Sequence, residues 1–262
     1  MRHLTGLFAL FVLIVAPSTA GAIHGGAPVP AGQWDAAVRF EWRQGANSGG
    51  CSGVLIAEKA VLTAAHCVRA PNGRPRRVRS VRIGNPSGRT VRAAVASVHV
   101  HPDYKPKVPH AGSDLAVLVL KRSVTGRTPV RIAHTGEDVK RRGDRVTIAG
   151  FGVTRNRRGR LVRSRKLREI SQEYLSPFHC YSGPVKKMAK IRICSASPGT
   201  AVCPGDSGAP ATLRRPGEPE ILIGIISVVL DLKVCSKTAT TMTRVSAFGD
   251  WIAKVTGQAA ID

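Results

Sequence analysis

Short apolar runs broken by turn residues recur along almost the whole chain, and this spacing restricts the fold more than any other feature. Val38–Trp42, Ser52–Ile56, Val78–Ile83, Val91–Val100, Leu115–Leu120, Val146–Ala149 and Ile221–Val229 are rich in Val, Ile and Leu, and Gly, Pro, Asn and Asp separate them. β-Branched residues suit a pleated, half-buried surface, and clustered turn formers end a strand after a few residues. With almost no long 3.6-residue periodicity, the pattern predicts an all-β sandwich or a pair of barrels. The tail is the exception. Ala247, Phe248, Trp251, Ile252 and Val255 repeat at helical spacing, which predicts one C-terminal helix over Ser246–Val255 with Ser246 as its cap. Lys121–Arg131, carrying Gly126, Pro129 and basic residues, reads as a linker between two halves.

The first 22 residues read as an address. Arg2 and His3 precede an apolar run from Leu7 to Ala16, then Pro17 and small residues as far as Ala22, as in a secretory signal peptide. Cleavage after Ala20 or after Ala22 fits the small-residue rule, and the second choice exposes Ile23 as a new N-terminus. No later stretch approaches the roughly 20 apolar residues of a membrane span, so the expectation is a soluble, secreted protein. Export places the six cysteines in an oxidising compartment, where an even number predicts three disulfides and leaves the pairing open.

Charge bears on partners and not on fold. Lys and Arg total 40 against 16 acids, a net charge of +24, while 43% apolar residues suffice for a core and exclude a disordered polyelectrolyte. The basic residues cluster in Arg74–Arg82, Lys140–Arg145 and Arg155–Arg168. Two readings stand: a solvated Arg-rich surface, or retention on an anionic cell wall, glycan or nucleic acid. No aromatic interleaving favours base stacking.

Three segments carry chemistry. Cys203-Pro204-Gly205-Asp206-Ser207-Gly208 sets a serine between glycines, a setting in which a hydroxyl can be approached closely and backbone N–H groups can face an oxyanion. Val61-Leu62-Thr63-Ala64-Ala65-His66-Cys67 puts a histidine after an apolar strand, and Ser113-Asp114-Leu115 puts a carboxylate at the start of another. His, Asp, Ser is one of the chain orders in which a nucleophilic triad occurs. Singly, each has a plain structural reading as a core histidine, a strand start or a turn.

Together these segments resemble the chymotrypsin and trypsin-like serine peptidase family. Ile23-His24-Gly25-Gly26, Leu62-Thr63-Ala64-Ala65-His66-Cys67, His101-Pro102-Asp103-Tyr104, Ser113-Asp114-Leu115-Ala116, Gly150-Phe151-Gly152, Gly205-Asp206-Ser207-Gly208 and Trp251-Ile252 carry the resemblance in order along the chain. It implies two six-stranded antiparallel β-barrels with a C-terminal α-helix and the active site between the barrels. Residues 23–130 would form the barrel with His66 and Asp114, and 131–262 the barrel with Ser207 plus the helix. It further implies the disulfides Cys51–Cys67, Cys180–Cys194 and Cys203–Cys235, each worth about 2–4 kcal/mol.

The same resemblance implies the roles. Ser207 attacks the scissile carbonyl, His66 is general base and then acid, and Asp114 orients the imidazole, with Asp103 in its His-Pro-Asp-Tyr turn as the rival acid. Gly205 and Ser207 supply the oxyanion N–H groups, and Ser227 supports Asp114. A freed Ile23 ammonium pairs with Asp206, so that signal cleavage after Ala22 would itself activate the enzyme; His24 departs from the usual aliphatic second residue. In the specificity pocket Ala201 stands where trypsin has an acid, Val229 and Thr240 narrow the walls as in elastase, Val202 narrows the base further and Ser227 lies on the strand that pairs with substrate, which predicts cleavage after small aliphatic residues.

No cofactor or metal is expected. His99 and His101 lack a third ligand, and the stretch Gly84–Thr90, which matches the family calcium loop, has no carboxylate. Ser52, Ala209 and Pro204 depart from the family pattern, and they sustain the alternative of a weakly active or inactive homologue that binds a polyanion or the cell envelope. The implied partners are protein or peptide substrates, and the implied state is a monomer.

Overall fold

The computed structural model describes residues 23–108, 113–139, 143–155, 161–180, 185–227, 235 and 239–258. A short strand β1 (Ala27–Pro28) leads to the strands of a first barrel: β2 (Ala37–Gln44), β3 (Asn47–Ala57), β4 (Ala60–Thr63), β5 (Ser80–Ile83), β6 (Val91–Val100) and β7 (Ala116–Leu120). These six pair antiparallel in the order β2-β3-β4-β7-β6-β5, and β2 closes on β5. Alternation fixes the faces: Val38 and Phe40 of β2 and Val81 and Ile83 of β5 are buried, while Arg39 and Arg82 turn outward.

Beyond β8 (Arg131–Ile132) come β9 (Arg145–Gly150), the paired β10 (Val153–Arg155) and β11 (Leu161–Arg163), then β12 (Arg168–Leu175), β13 (Arg192–Ala196), β14 (Pro210–Leu213), β15 (Ile221–Ile226) and β16 (Thr240–Arg244). The order β12-β13-β16-β15-β14-β9 closes through β9 against β12, giving a second six-stranded antiparallel barrel. Only β8 joins its neighbour β15 in parallel among the described strands. Its core gathers Ile148, Ile170, Ile193, Ile223, Ile226 and Met242.

The chain ends cross over. Ile23 is fully buried in the second-barrel core and β1 pairs with β12, although the next strand belongs to the first barrel. Conversely, Phe248 and Ile252 of the C-terminal segment pack in the first-barrel cluster, and His101 meets Phe248 and Trp251 edge-on at 4.9 Å. Each barrel is thus packed against by chain from the other half.

Several expected boundaries shift. The strands begin at Ser80 and Ala116 rather than Val78 and Leu115, and β15 ends at Ile226; Val228 and Val229 lie outside the described residues. Ser246 does not cap the final helix. It opens a 3-10 turn (Ser246–Phe248), its hydroxyl donates to Asp138 Oδ2 at 2.7 Å, and the helix α2 runs Gly249–Thr256 without a side-chain N-cap. At the other end Gly257, at φ 69°, makes the left-handed turn that ends it. A second helix, α1 (Val185–Ile191), is additional to the expected one; its sequence VKKMAKI is too short for a readable period.

Candidate active site

The strand β4 ends at Thr63 and a single 3-10 turn, Ala65–Cys67, carries His66. The strand β7 begins just after Asp114, which is wholly buried. The imidazole Nδ1 lies 2.8 Å from Asp114 Oδ2, and the His66 backbone N–H donates to Oδ1 at 2.9 Å. Ser227 Oγ donates to Oδ2 at 2.6 Å, and Thr243 Oγ1 donates to the Asp114 carbonyl at 3.1 Å. Burial alone would raise the Asp114 pKa, but the charge and hydrogen bonds of His66, with the Ser227 hydroxyl, outweigh it and hold the carboxyl below its ordinary value. Asp103 takes no part in this network: its N–H donates to His101 Nδ1 at 3.2 Å within the local turn.

Ser207 comes from the loop before β14 and is brought to the His66 turn by the main chain. Its carbonyl accepts from Ser52 N at 2.8 Å and lies 3.6 Å from Cys67 Sγ. A Cβ on Gly208 would sit 2.2 Å from both Ser52 O and Thr63 Oγ1, so only glycine allows this approach. The Ser207 hydroxyl makes no hydrogen bond among the described residues. Gly205 holds φ at 95°, and the N–H groups of Gly205 and Ser207 donate to no group among the described residues, whereas those of Asp206, Gly208 and Ala209 are all bonded. Both residues lie on a half-buried turn.

Ser52, one of the departures noted above, has a definite task. Its buried hydroxyl donates to Gly205 O at 3.0 Å and accepts from Phe151 N at 3.3 Å, tying the serine loop to the neighbouring Gly150-Phe151-Gly152 segment. Ala209 is fully buried in the second-barrel core, and Pro204 O accepts from Val153 N at 2.7 Å. None of the three disturbs the site.

Asp206 is also wholly buried, held by the N–H groups of Gly152 (2.7 Å) and Cys203 (2.8 Å) and by that of Ile23. Side chains at 150 or 152 would place a Cβ 2.2 or 2.4 Å from its oxygens, which accounts for both glycines. Desolvation, against these backbone bonds, pushes its pKa up to about 7. Ile23 sits beside it at φ 55°, a region unfavourable for a β-branched residue. His24 fits without difficulty: its side chain is exposed while its backbone bridges Ala201, with N–H···O distances of 2.8 and 3.1 Å.

Ala201, Ser227 and Thr240 are buried together with the site, and Ser227 N donates to Thr241 O at 3.1 Å. Val202 is buried in the cluster that includes Ile23, Ile193 and Ile223. All three expected disulfides form, Cys51–Cys67, Cys180–Cys194 and Cys203–Cys235. Cys51, Cys67 and His66 cluster closely enough to suggest a metal site, but both sulfurs are spent in the disulfide and Nδ1 is engaged by Asp114. His99 lies 2.9 Å from Ser97 Oγ, and His101 packs edge-on against Phe248 and Trp251.

The trypsin family model matches residues 23–252. The chain belongs to the trypsin family. Among curated relatives of this trypsin-family chain, human (Homo sapiens) granzyme M is 33% identical over 220 residues, covering 80% of each chain. Chymotrypsin-like elastase family member 1 of Bos taurus is 28% identical over 248 residues and 90% of each. Mouse (Mus musculus) serine protease 56 is 30% identical over 243 residues, 88% of this chain and 38% of that protein. At the level of the family this is a serine peptidase, acting on peptide bonds in proteins.

Proposed function

We propose that the chain is an active, secreted serine endopeptidase using Ser207, His66 and Asp114, with a preference for small aliphatic residues before the scissile bond. The observation that carries the reading is the His66 Nδ1–Asp114 Oδ2 contact of 2.8 Å, buttressed by Ser227 and set against the Ser207 loop. With Nδ1–H held by Asp114, Nε2 is the basic nitrogen. It takes the Ser207 proton as Oγ bonds to the carbonyl carbon, then gives that proton to the leaving amine as the C–N bond breaks; water repeats the sequence to release the acyl group. Gly205 and Ser207 N–H groups hold the oxyanion, and no cofactor is required.

Residues 1–22 are the proposed signal peptide, and no described helix is long and apolar enough to cross a membrane. Cleavage after Ala22 frees the Ile23 ammonium beside Asp206, whose pairing organises the oxyanion loop. Residues 23–130 and 131–262 are the proposed structural halves of a monomer. Ala201 in place of an acid, with Thr240 and Val229 at the positions that the family resemblance assigns to the walls, supports the small-aliphatic preference. The relatives include proteins named elastase, which favours the same choice.

A basic row lies on the first barrel. Arg39, Arg82 and Arg92 lie directly opposite one another across β2, β5 and β6. Burial first, then the neighbouring Arg82 and Arg165, lower the Arg39 guanidinium, with Glu41 opposing them. Like charges placed opposite are unfavourable within a sheet, so this row is suited to an anionic glycan or wall polymer. Elution from heparin at no higher salt than from a plain cation exchanger would reduce it to bulk charge.

Cleavage of a randomised peptide library by protein starting at Ile23, with Ser207→Ala as control, tests the main reading. Ser207-dependent cuts after Ala or Val support both triad and pocket. Cuts after Lys or Arg would refute the pocket, and no cutting would shift the weight to a binding role.

A further inference from the structure

The His66 turn has an unusual second anchor. Its backbone N–H is held by Asp114, but the His66 carbonyl, at the end of a one-turn 3-10 helix, accepts no backbone hydrogen bond among the described residues. Arg76 fills that vacancy: Nη1 donates to His66 O at 2.6 Å, and Arg76 N donates to Val68 O at 2.7 Å on the next residue but one. The guanidinium is itself fixed. It lies over the Trp42 ring at 4.0 Å from the centroid, and the indole also lies against Gly49, where a Cβ would come within 2.1 Å of the ring. Gly49 and Trp42, paired across β2 and β3, and Arg76 from the loop before β5 therefore form one contact group that ends on the histidine peptide.

This arrangement is poorly explained as surface charge. Arg76 falls within the basic stretch Arg74–Arg82, yet its Nε is buried without a partner, and desolvation lowers the pKa of the guanidinium, against the opposing effect of Tyr104. A partly dehydrated cation is retained at a cost, and the group it serves is the carbonyl of the residue that must gain and lose a proton. We propose that Arg76 is a positioning residue for His66, clamping its peptide from the carbonyl side as Asp114 clamps it from the N–H side. Arginine suits the task because a planar guanidinium can stack on the indole and direct an edge N–H at the carbonyl together; an ammonium cannot do both.

The inference rests on the proposed catalytic role of His66, and its test separates the two. Arg76→Met keeps an apolar stem against Trp42 and removes the donor. Its kcat is expected to fall about tenfold to a hundredfold with KM nearly unchanged, as for a small misplacement of a catalytic group. Arg76→Lys should recover only part of the rate, and millimolar guanidinium, unlike ammonium, should partly restore Arg76→Ala. The downfield proton resonance of His66 Nδ1–H, read independently of turnover, should broaden or vanish in Arg76→Met. An unchanged kcat and an unchanged resonance would overturn the clamp, and so would a rate loss that guanidinium does not relieve. Wild-type protein without Ser207-dependent cleavage would overturn the peptidase reading, while the resonance would still decide the clamp.

Discussion

Asp114 and Asp206 are both wholly buried and adjoin one site, yet their surroundings drive them in opposite directions. Asp114 faces an imidazole that can carry charge and a serine hydroxyl, and these overcome desolvation. Asp206 has only peptide N–H groups, and they do not, so its pKa stands at about 7. Burial of a carboxylate is tolerable where a cation or a mobile proton faces it, and dipoles alone leave it incomplete. The first aspartate therefore has a partner that can carry positive charge in this chain, whereas the second has only dipoles, and in the proposed mature enzyme the Ile23 ammonium would supply the missing charge.

The largest test strikes the first aspartate. Asp114→Asn, which keeps the shape and forfeits the charge and tautomer control, should lower kcat by on the order of 10⁴-fold with KM little altered. A loss below about tenfold would remove Asp114 from the mechanism.

The next test concerns Asp206 and pH. Its folded pKa of about 7 exceeds the ordinary 3.8, so between these values the native state holds a proton that the unfolded state has lost. Stability from this group is complete below about pH 4 and declines as pH rises towards 7, by on the order of 4 kcal/mol. Denaturant unfolding of a chain extended beyond Ile23 should show this decline. A chain beginning at Ile23 should not, because the ammonium draws Asp206 downward. Equal profiles would deny the ion pair.

The smallest effect returns to Asp114. Ser227→Ala deletes the 2.6 Å donor and should destabilise by about 1–3 kcal/mol while raising the Asp114 pKa. Thermal unfolding above and below neutrality measures it, and a neutral result would mean that His66 alone holds the carboxylate.

The first barrel was legible because its strands alternate apolar and polar residues, as in Val38-Arg39-Phe40. The second was harder to read. The strand Arg168–Leu175 buries Gln172, which accepts from Ser195 Oγ at 2.8 Å, and Thr240–Arg244 buries threonines, so polar pairs occupy places where a hydrophobic pattern would have marked a strand. Among site residues, His66, Asp114 and Ser207 lie in recognisable strings. Ser52 stood out only as a departure, and its bridging hydroxyl gave no signal in the sequence. Arg76 was hidden in a basic run, because what distinguishes it is the ring beneath it and the carbonyl before it.

The sequence by itself determined the β character, the cysteine set, the charge and the order of the reactive segments, since these depend on local spacing and composition. Only the tertiary structure decided that Ile23 lies in the second-barrel core, that the final helix packs on the first barrel, and that the pKa values of two equally buried aspartates are driven in opposite directions. A carboxyl group's state is set by every dipole and charge within a few ångströms, and those neighbours come from segments far apart in the chain.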